Sequence, residues 1–271
     1  MRRTLATFAL ALALVLAGCP AGESGTVSTT DDSPDGTATD GVGATQTPVP
    51  LADEHPYVAD GSLDVSGLLT AHIQRLRSVE SYTLGYNLTA AFAANGSDSG
   101  SLTRVDNVDL ADERAVFLVR QRGSDGEASE SGQYRNATHA CSIQQGELAC
   151  NEAAFDEQRV VALAVETTSL ETLGAPDFEA DGTVTRDGQG LYRYTATTLR
   201  EDLPEQTATE LGTNPALSEA TLFVHPSGRI VEYEITYTTG SGDQRQRATF
   251  VYTTRDVNAT SVPDAETLVS G

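Results

Sequence analysis

The stretch SYTLGYNLT at residues 81–89 decides the fold class. Its apolar side chains Tyr82, Leu84, Tyr86 and Leu88 fall on alternate positions, with Thr83, Gly85, Asn87 and Thr89 between them. Side chains of a strand point alternately to its two faces, so a period of two predicts an antiparallel strand with one buried and one wet face. The stretch VEYEITYT at 231–238 repeats the pattern, with Val231, Tyr233, Ile235 and Tyr237 set against Glu232, Glu234, Thr236 and Thr238.

Working outward, strands are expected at 102–108, 115–122, 131–138, 183–186, 191–198, 220–225 and 247–254. Turns at Asp187-Gly188-Gln189-Gly190, His225-Pro226-Ser227-Gly228 and Gly240-Ser241-Gly242 separate several of them. The sum is an α+β meander of about eight to ten strands. A helix is expected from Asp64 or Ser66 to Arg77, where Leu68, Leu69, Ile73 and Leu76 share one face. His72 lies on the same stripe with no ligand-type partner four residues on, and reads as a packed or hydrogen-bonded core residue. Further helical stretches are expected over 152–173 and 204–211, the latter with Pro204 in its first turn.

Before this domain, placed at 57–269, the chain is of another kind. Arg2 and Arg3 precede an apolar run from Leu5 to Leu16 that ends in Leu16-Ala17-Gly18-Cys19. The run is shorter than the roughly 20 residues a spanning helix needs and has the proportions of a signal peptide. The four closing residues form a lipobox, which predicts cleavage after residue 18 and lipid on the Cys19 thiol. The arginine pair suits both twin-arginine export and the general secretory route. Residues 19–56 are rich in Ser, Thr, Asp, Gly, Ala and Pro, too polar to fold, and read as a flexible tether.

The chain holds 39 acidic residues against 17 basic ones, for a formal net charge of −22. Every basic residue is Arg. Such a surface repels phosphate backbones and argues against nucleic acid as a partner. Without Lys there is no Walker A loop, kinase strand lysine, Schiff base to pyridoxal phosphate or Ser-x-x-Lys nucleophile. No EF-hand loop or zinc-type spacing occurs, so neither metal nor cofactor is expected. With Cys19 assigned to lipid, Cys141 and Cys150 are the natural disulfide pair, with Gln145-Gly146 as the turn between them. Asn87, Asn95, Asn136 and Asn258 head Asn-x-Ser/Thr triplets and are candidate N-glycosylation acceptors in an exported protein.

The lipobox, tether, first helix leading into Ser81-Tyr82-Thr83-Leu84 and late hairpin FVHPSGRIVEYEI at 223–235 resemble haloarchaeal surface lipoproteins of uncharacterised function. More distantly, the element order over 60–256 resembles the LolA and LppX/LprG-like fold. The resemblance implies a curved antiparallel sheet, an unclosed half-barrel, with helices packed on its concave face. In those relatives the space between sheet and helices holds acyl chains, which implies binding or carriage of a lipid or other hydrophobic ligand. No ligand residue can be carried over, because no motif of this chain marks one.

Three functions therefore compete. A hydrophobic-ligand carrier requires a lined cavity, and periodicity cannot distinguish that from a filled core. A non-catalytic surface or adaptor protein acting with a membrane partner needs only the anchor and tether. A hydrolase would need a base, for which His72 and His139 are the credible candidates, His55 lying in the tether and His225 in a tight turn. Neither a Gly-x-Ser-x-Gly elbow nor a His-Glu-x-x-His pair accompanies them, so an enzyme is not the expectation.

Overall fold

The computed structural model describes residues 55–59, 62–92, 99–124, 126–144, 146–165, 170, 172–203, 205–242 and 245–269. The signal segment, Cys19, nearly all of the tether, Asn95, Pro204 and Gln145 lie outside them. A two-residue pair, β1 (Val58–Ala59) with β2 (Ser62–Leu63), leads into α1 (Val65–Arg77). Six strands follow: β3 (Ser81–Phe92), β4 (Ser99–Asp109), β5 (Arg114–Arg122), β6 (Ala128–Arg135), β7 (His139–Gln144) and β8 (Glu147–Glu152). Next come α2 (Glu157–Val165) and a 3-10 turn at Thr172–Gly174. Then come β9 (Glu179–Arg186), β10 (Gln189–Ala196), α3 (Glu205–Leu211), β11 (Ala216–Val224), β12 (Ile230–Thr239), β13 (Gln246–Arg255) and α4 (Ala265–Val269).

Strands β3 to β13 form one sheet in the order β8-β7-β6-β5-β4-β3-β13-β12-β11-β10-β9, every pairing antiparallel. The sheet is curved and unclosed, a half-barrel with α1 and α2 against one face. It consists of two meanders, β3 to β8 and β9 to β13, joined where β3 pairs β13 along ten positions from Gln246↔Phe92 to Arg255↔Thr83.

Eleven strands exceed the eight to ten expected. The Cys141 to Cys150 segment makes two full strands, and β9 begins at Glu179, four residues before the expected start. Strand β6 ends at Arg135 rather than at Thr138, because the Asn136 Oδ1 accepts the backbone N–H groups of Thr138 (3.0 Å) and His139 (2.8 Å) and turns the chain. The helical stretch expected over 152–173 starts later, at Glu157. Glu152 belongs to β8, and Ala153 and Phe155 donate to the carbonyls of Thr138 and Ala137. Helix α2 starts once the Asp156 carboxylate can accept from the Arg159 N–H at 3.0 Å.

Helix α1 begins where the Asp64 side chain caps the Gly67 N–H at 2.9 Å, and it carries Arg75 and Arg77 in its last turn. Leu68, His72 and Leu76, each four residues apart, are fully buried, and this stripe faces the sheet. A second, smaller apolar cluster sits where Val116, Tyr134, Cys141 and Ile143 pack with Val262 and, around its edge, Ala265 and Leu268. On β5, Ala115 and Phe117 belong to the main core and Val116 to this cluster, so the segment containing α4 covers the opposite face. Cys141 and Cys150 stand directly opposite each other on β7 and β8 and form a disulfide.

The turn between β11 and β12 is pressed onto α1. Gly228 has φ +88°, and a Cβ there would lie 2.7 Å from the Ala71 Cβ and 2.6 Å from the Tyr57 hydroxyl. Gly228→Ala is expected to cost about 1–3 kcal/mol through strain at positive φ and overpacking. It should appear as a lower urea midpoint with an unchanged slope, and an unchanged midpoint would mean that the turn does not bear on the helix.

Candidate binding site between sheet and helices

The inner face is organised around one rung. Tyr194 on β10 lies opposite Leu222 on β11, Leu222 opposite Tyr233 on β12, Tyr233 opposite Tyr252 on β13, Tyr252 opposite Tyr86 on β3, and Tyr86 opposite Arg104 on β4. The four tyrosines and Leu222 are buried. Tyr86 and Tyr252 meet edge to face with centroids 5.1 Å apart, and Phe250 from the next rung packs on Tyr86 and Tyr233.

Three hydroxyls of this rung each reach a different covering element. The Tyr252 oxygen is 2.6 Å from His72 Nε2 on α1. The Tyr86 hydroxyl donates to the Ala164 carbonyl in the last turn of α2, and the Tyr233 hydroxyl donates to the Thr172 carbonyl at 3.1 Å. Arg104 Nη2 adds a bond to the Leu163 carbonyl at 2.8 Å. The last carbonyls of a helix have no intrahelical donor and carry its negative end, so a tyrosine and an arginine from the sheet satisfy groups that α2 cannot.

His72 is neutral. The Ile230 N–H donates to its Nδ1 at 3.2 Å, so the ring proton is assigned to Nε2, which donates to Tyr252. Burial, reinforced by the charge of Arg229, lowers its pKa to about 3. With both nitrogens engaged, it serves the core rather than as a base.

Arg104 and Asp106 are the site residues that the sequence reading passed over. They occupy inward positions of β4, between Leu102 and Val108 on the same face, and charges at inward parity were the available sign. Arg104 Nε donates to Asp106 Oδ1 at 2.7 Å, and its guanidinium lies 5.4 Å and 5.6 Å from the ring centres of Tyr86 and Phe117. Asp106 is wholly buried, and burial outweighs Arg104's charge and hydrogen bond, pushing its pKa up to about 7.

The remaining predicted residues stand apart from this interface. His139 is exposed, with Nδ1 2.8 Å from Thr138 Oγ1, and His225 Nδ1 is held by Ser227. His55, expected in the tether, packs instead on the rings of Tyr192 and Tyr194 at 5.2 and 5.0 Å. Asn87 is exposed on the outer face of β3. Asn136 is part-exposed in its turn, and Asn258 is exposed with its Oδ1 accepting the Glu80 N–H. Among the described residues no group of three His, Cys, Asp or Glu side chains could hold a metal ion, and no helix is long and apolar enough to cross a membrane.

Around the tyrosine rung the described interior is filled. Side chains lining a void that admits water keep accessible surface, yet Leu68, Leu76, Tyr82, Leu84, Val160, Tyr194, Leu222, Tyr233 and Tyr252 keep none. Coverage thins towards one end of the strands, where Leu88, Leu163, Leu217 and Tyr237 pack on the core but are only partly buried. A groove of about 600 Å³ lies away from the tyrosine rung, between Arg135, Phe155 and the first turn of α2.

These features define a half-barrel whose apolar face is fastened to helices by hydrogen bonds from within the sheet. The chain belongs to a family of unknown function, DUF7537, which matches it over residues 4–269. Among solved structures it is similar to the lipoprotein LppX of Mycobacterium tuberculosis, with 14% identity and a TM-score of 0.40, over 74% of this chain and 98% of that one. It is also similar to a chain of the Pseudomonas aeruginosa MucA/MucB complex, with 14% identity and a TM-score of 0.32, over 76% and 60% of the two chains. A LolA superfamily protein from Nitrosomonas europaea shows 9% identity and a TM-score of 0.24, over 74% and 95%. Comparison with curated proteins gave no match.

The fastenings differ in what their loss leaves behind. Tyr252→Phe strands the buried His72 Nε2–H and is expected to cost about 1–3 kcal/mol, whereas Tyr233→Phe leaves a carbonyl short of one donor and should cost about 0.5–1.5 kcal/mol. Urea denaturation of the two variants checks the order. Asp106 generates a pH dependence of known sign. Its folded pKa of about 7 exceeds the ordinary 3.8, so the folded state holds the proton more tightly, and this contribution is present in acid and lost as pH rises from about 4 to about 7. Asp106→Asn should flatten the stability profile in that window, measured by denaturation at a series of pH values.

Proposed function

We propose that the protein is an exported lipoprotein, cleaved before Cys19 and held through lipid on that cysteine at the outer face of the cytoplasmic membrane. Residues 1–18 are its signal peptide, and the tether from Cys19 ends before His55. Its half-barrel receives the apolar part of a lipid or other hydrophobic molecule between sheet and helices. The supporting observation is the contrast between an apolar inner face that extends beyond its cover, to Leu88, Leu217 and Tyr237, and the few hydrogen bonds that fasten that cover.

Uptake on this reading is a displacement. The closed state has no room, so the ligand binds a conformer in which helices have moved off the tyrosine rung, and its apolar surface replaces theirs. Two of the bonds released, from Tyr86 and Tyr233, end on backbone carbonyls, which water can satisfy at little net cost, and the third joins Tyr252 to His72. The filled interior favours a second reading, that of a surface adaptor whose core is merely structural.

One preparation tests both halves. Cys19→Ser protein is expected in the medium or uncleaved in the membrane, and a processed, membrane-bound variant would refute the anchor. Native mass spectrometry and solvent extraction of the released protein should reveal a co-purifying lipid at up to one per chain. Repeated lipid-free preparations that also fail to bind an apolar fluorophore would leave the adaptor reading in its place.

A further inference from the structure

Arg229 follows the tight turn pressed on α1 and is only 9% exposed. Its guanidinium donates to the Thr254 carbonyl at 3.4 Å and to Gln189 Oε1 at 3.2 Å, both neutral acceptors. The turn packs at Gly228 on Ala71 of α1, and Arg75, one helical turn further on, is a charge of the same sign that donates to the Ser78 hydroxyl at 3.1 Å. His225, on the same turn, completes the group. Its Nδ1 accepts the Ser227 N–H at 3.1 Å, so the neutral ring carries its proton on Nε2 and keeps that donor. Burial first, then the charges of Arg229 and Arg75, hold His225 below its ordinary pKa.

With 39 carboxylates for 17 arginines, counter-charges are abundant. Seven of the described arginines form an ion pair; of those that form none, Arg229 alone is buried. Enclosing a guanidinium without a counter-charge is unfavourable unless an anion supplies one.

We propose that Arg229, Arg75 and His225 bind a phosphate-type oxyanion, carried by a small solute or by a lipid headgroup. Two guanidinium forks and an imidazole N–H together offer more donors than a carboxylate with two oxygens can use, and suit a group with three terminal oxygens. The Ser227 hydroxyl, 2.8 Å from His225 Nδ1, lies on the same turn. Tyr57 approaches this turn at Gly228, so the site adjoins the segment that follows the tether. The site does not require the interior to open.

Inorganic phosphate titrated into the protein at constant ionic strength, with sodium chloride as the balancing salt, should bind saturably at one site by calorimetry. The His225 ring resonances should shift and its pKa should rise. Arg75→Gln and Arg229→Gln should each weaken binding by about tenfold or more, as loss of a charge-assisted bond implies, while Arg77→Gln should leave it unchanged. Arg75 is part-exposed, so its variant tests the site even if Arg229→Gln fails to fold. Binding to phosphatidic acid vesicles but not phosphatidylcholine vesicles, in competition with phosphate, would identify a headgroup as the source. Phosphate binding without vesicle binding would identify a free solute. Heats and shifts no larger than those of matched chloride, or equal for all variants, would overturn the proposal.

Discussion

Everything in this domain follows from the need to cover one face of a single open sheet with elements that reach it from three places in the chain. A closed barrel fills its own interior; an open one must borrow side chains from helices. Here the borrowing is organised by Tyr86, Tyr233 and Tyr252, neighbours across adjoining strands, whose hydroxyls cross the apolar layer to α2, the 3-10 turn and α1. Each ring fills space while its oxygen fixes position. Apolar contact alone is not directional, so the hydroxyls supply the register that burial cannot.

Much of this was legible in the sequence, and what was not has physical reasons. The alternation in β3 and β12 and the stripe of α1 are strong because one face of each is buried and the other wet. The edge strand β9 opens with Glu179, Ala180, Asp181 and Gly182, all exposed, and a strand with no buried face has no period to read. The late start of the expected second helix depended on carbonyls of the β6–β7 turn, which only tertiary proximity supplies. His72 was rightly placed in the core, but its partner Tyr252 stands 180 residues away. Cross-strand register, which turns four scattered tyrosines into a row, is invisible to any local pattern.

The electrostatics divide the arginines by task. Six stand on the surface beside carboxylates, in pairs of little energetic consequence. Arg104 is turned inward with a buried acid, an arrangement costly to assemble but directional, and it serves the end of α2. Arg229 is enclosed with neutral acceptors, at the turn where the first helix and the last strands meet. An acidic coat explains neither of these, so they mark where the interior chemistry of the domain is concentrated.

The pairing of β3 with β13 has a kinetic meaning. Within each meander, strands pair with sequence neighbours and can close locally; this seam joins residues more than 150 positions apart. Loop closure over such distances is slow, so the two meanders are natural units of early assembly and the seam is the late, rate-limiting step. The tyrosine rung straddles it, with Tyr86 on one side and Tyr252 and Tyr233 on the other. Until the last long strand is in place, α1 and α2 lack a common surface to grip, so the domain acquires its cover only when its chain is nearly complete.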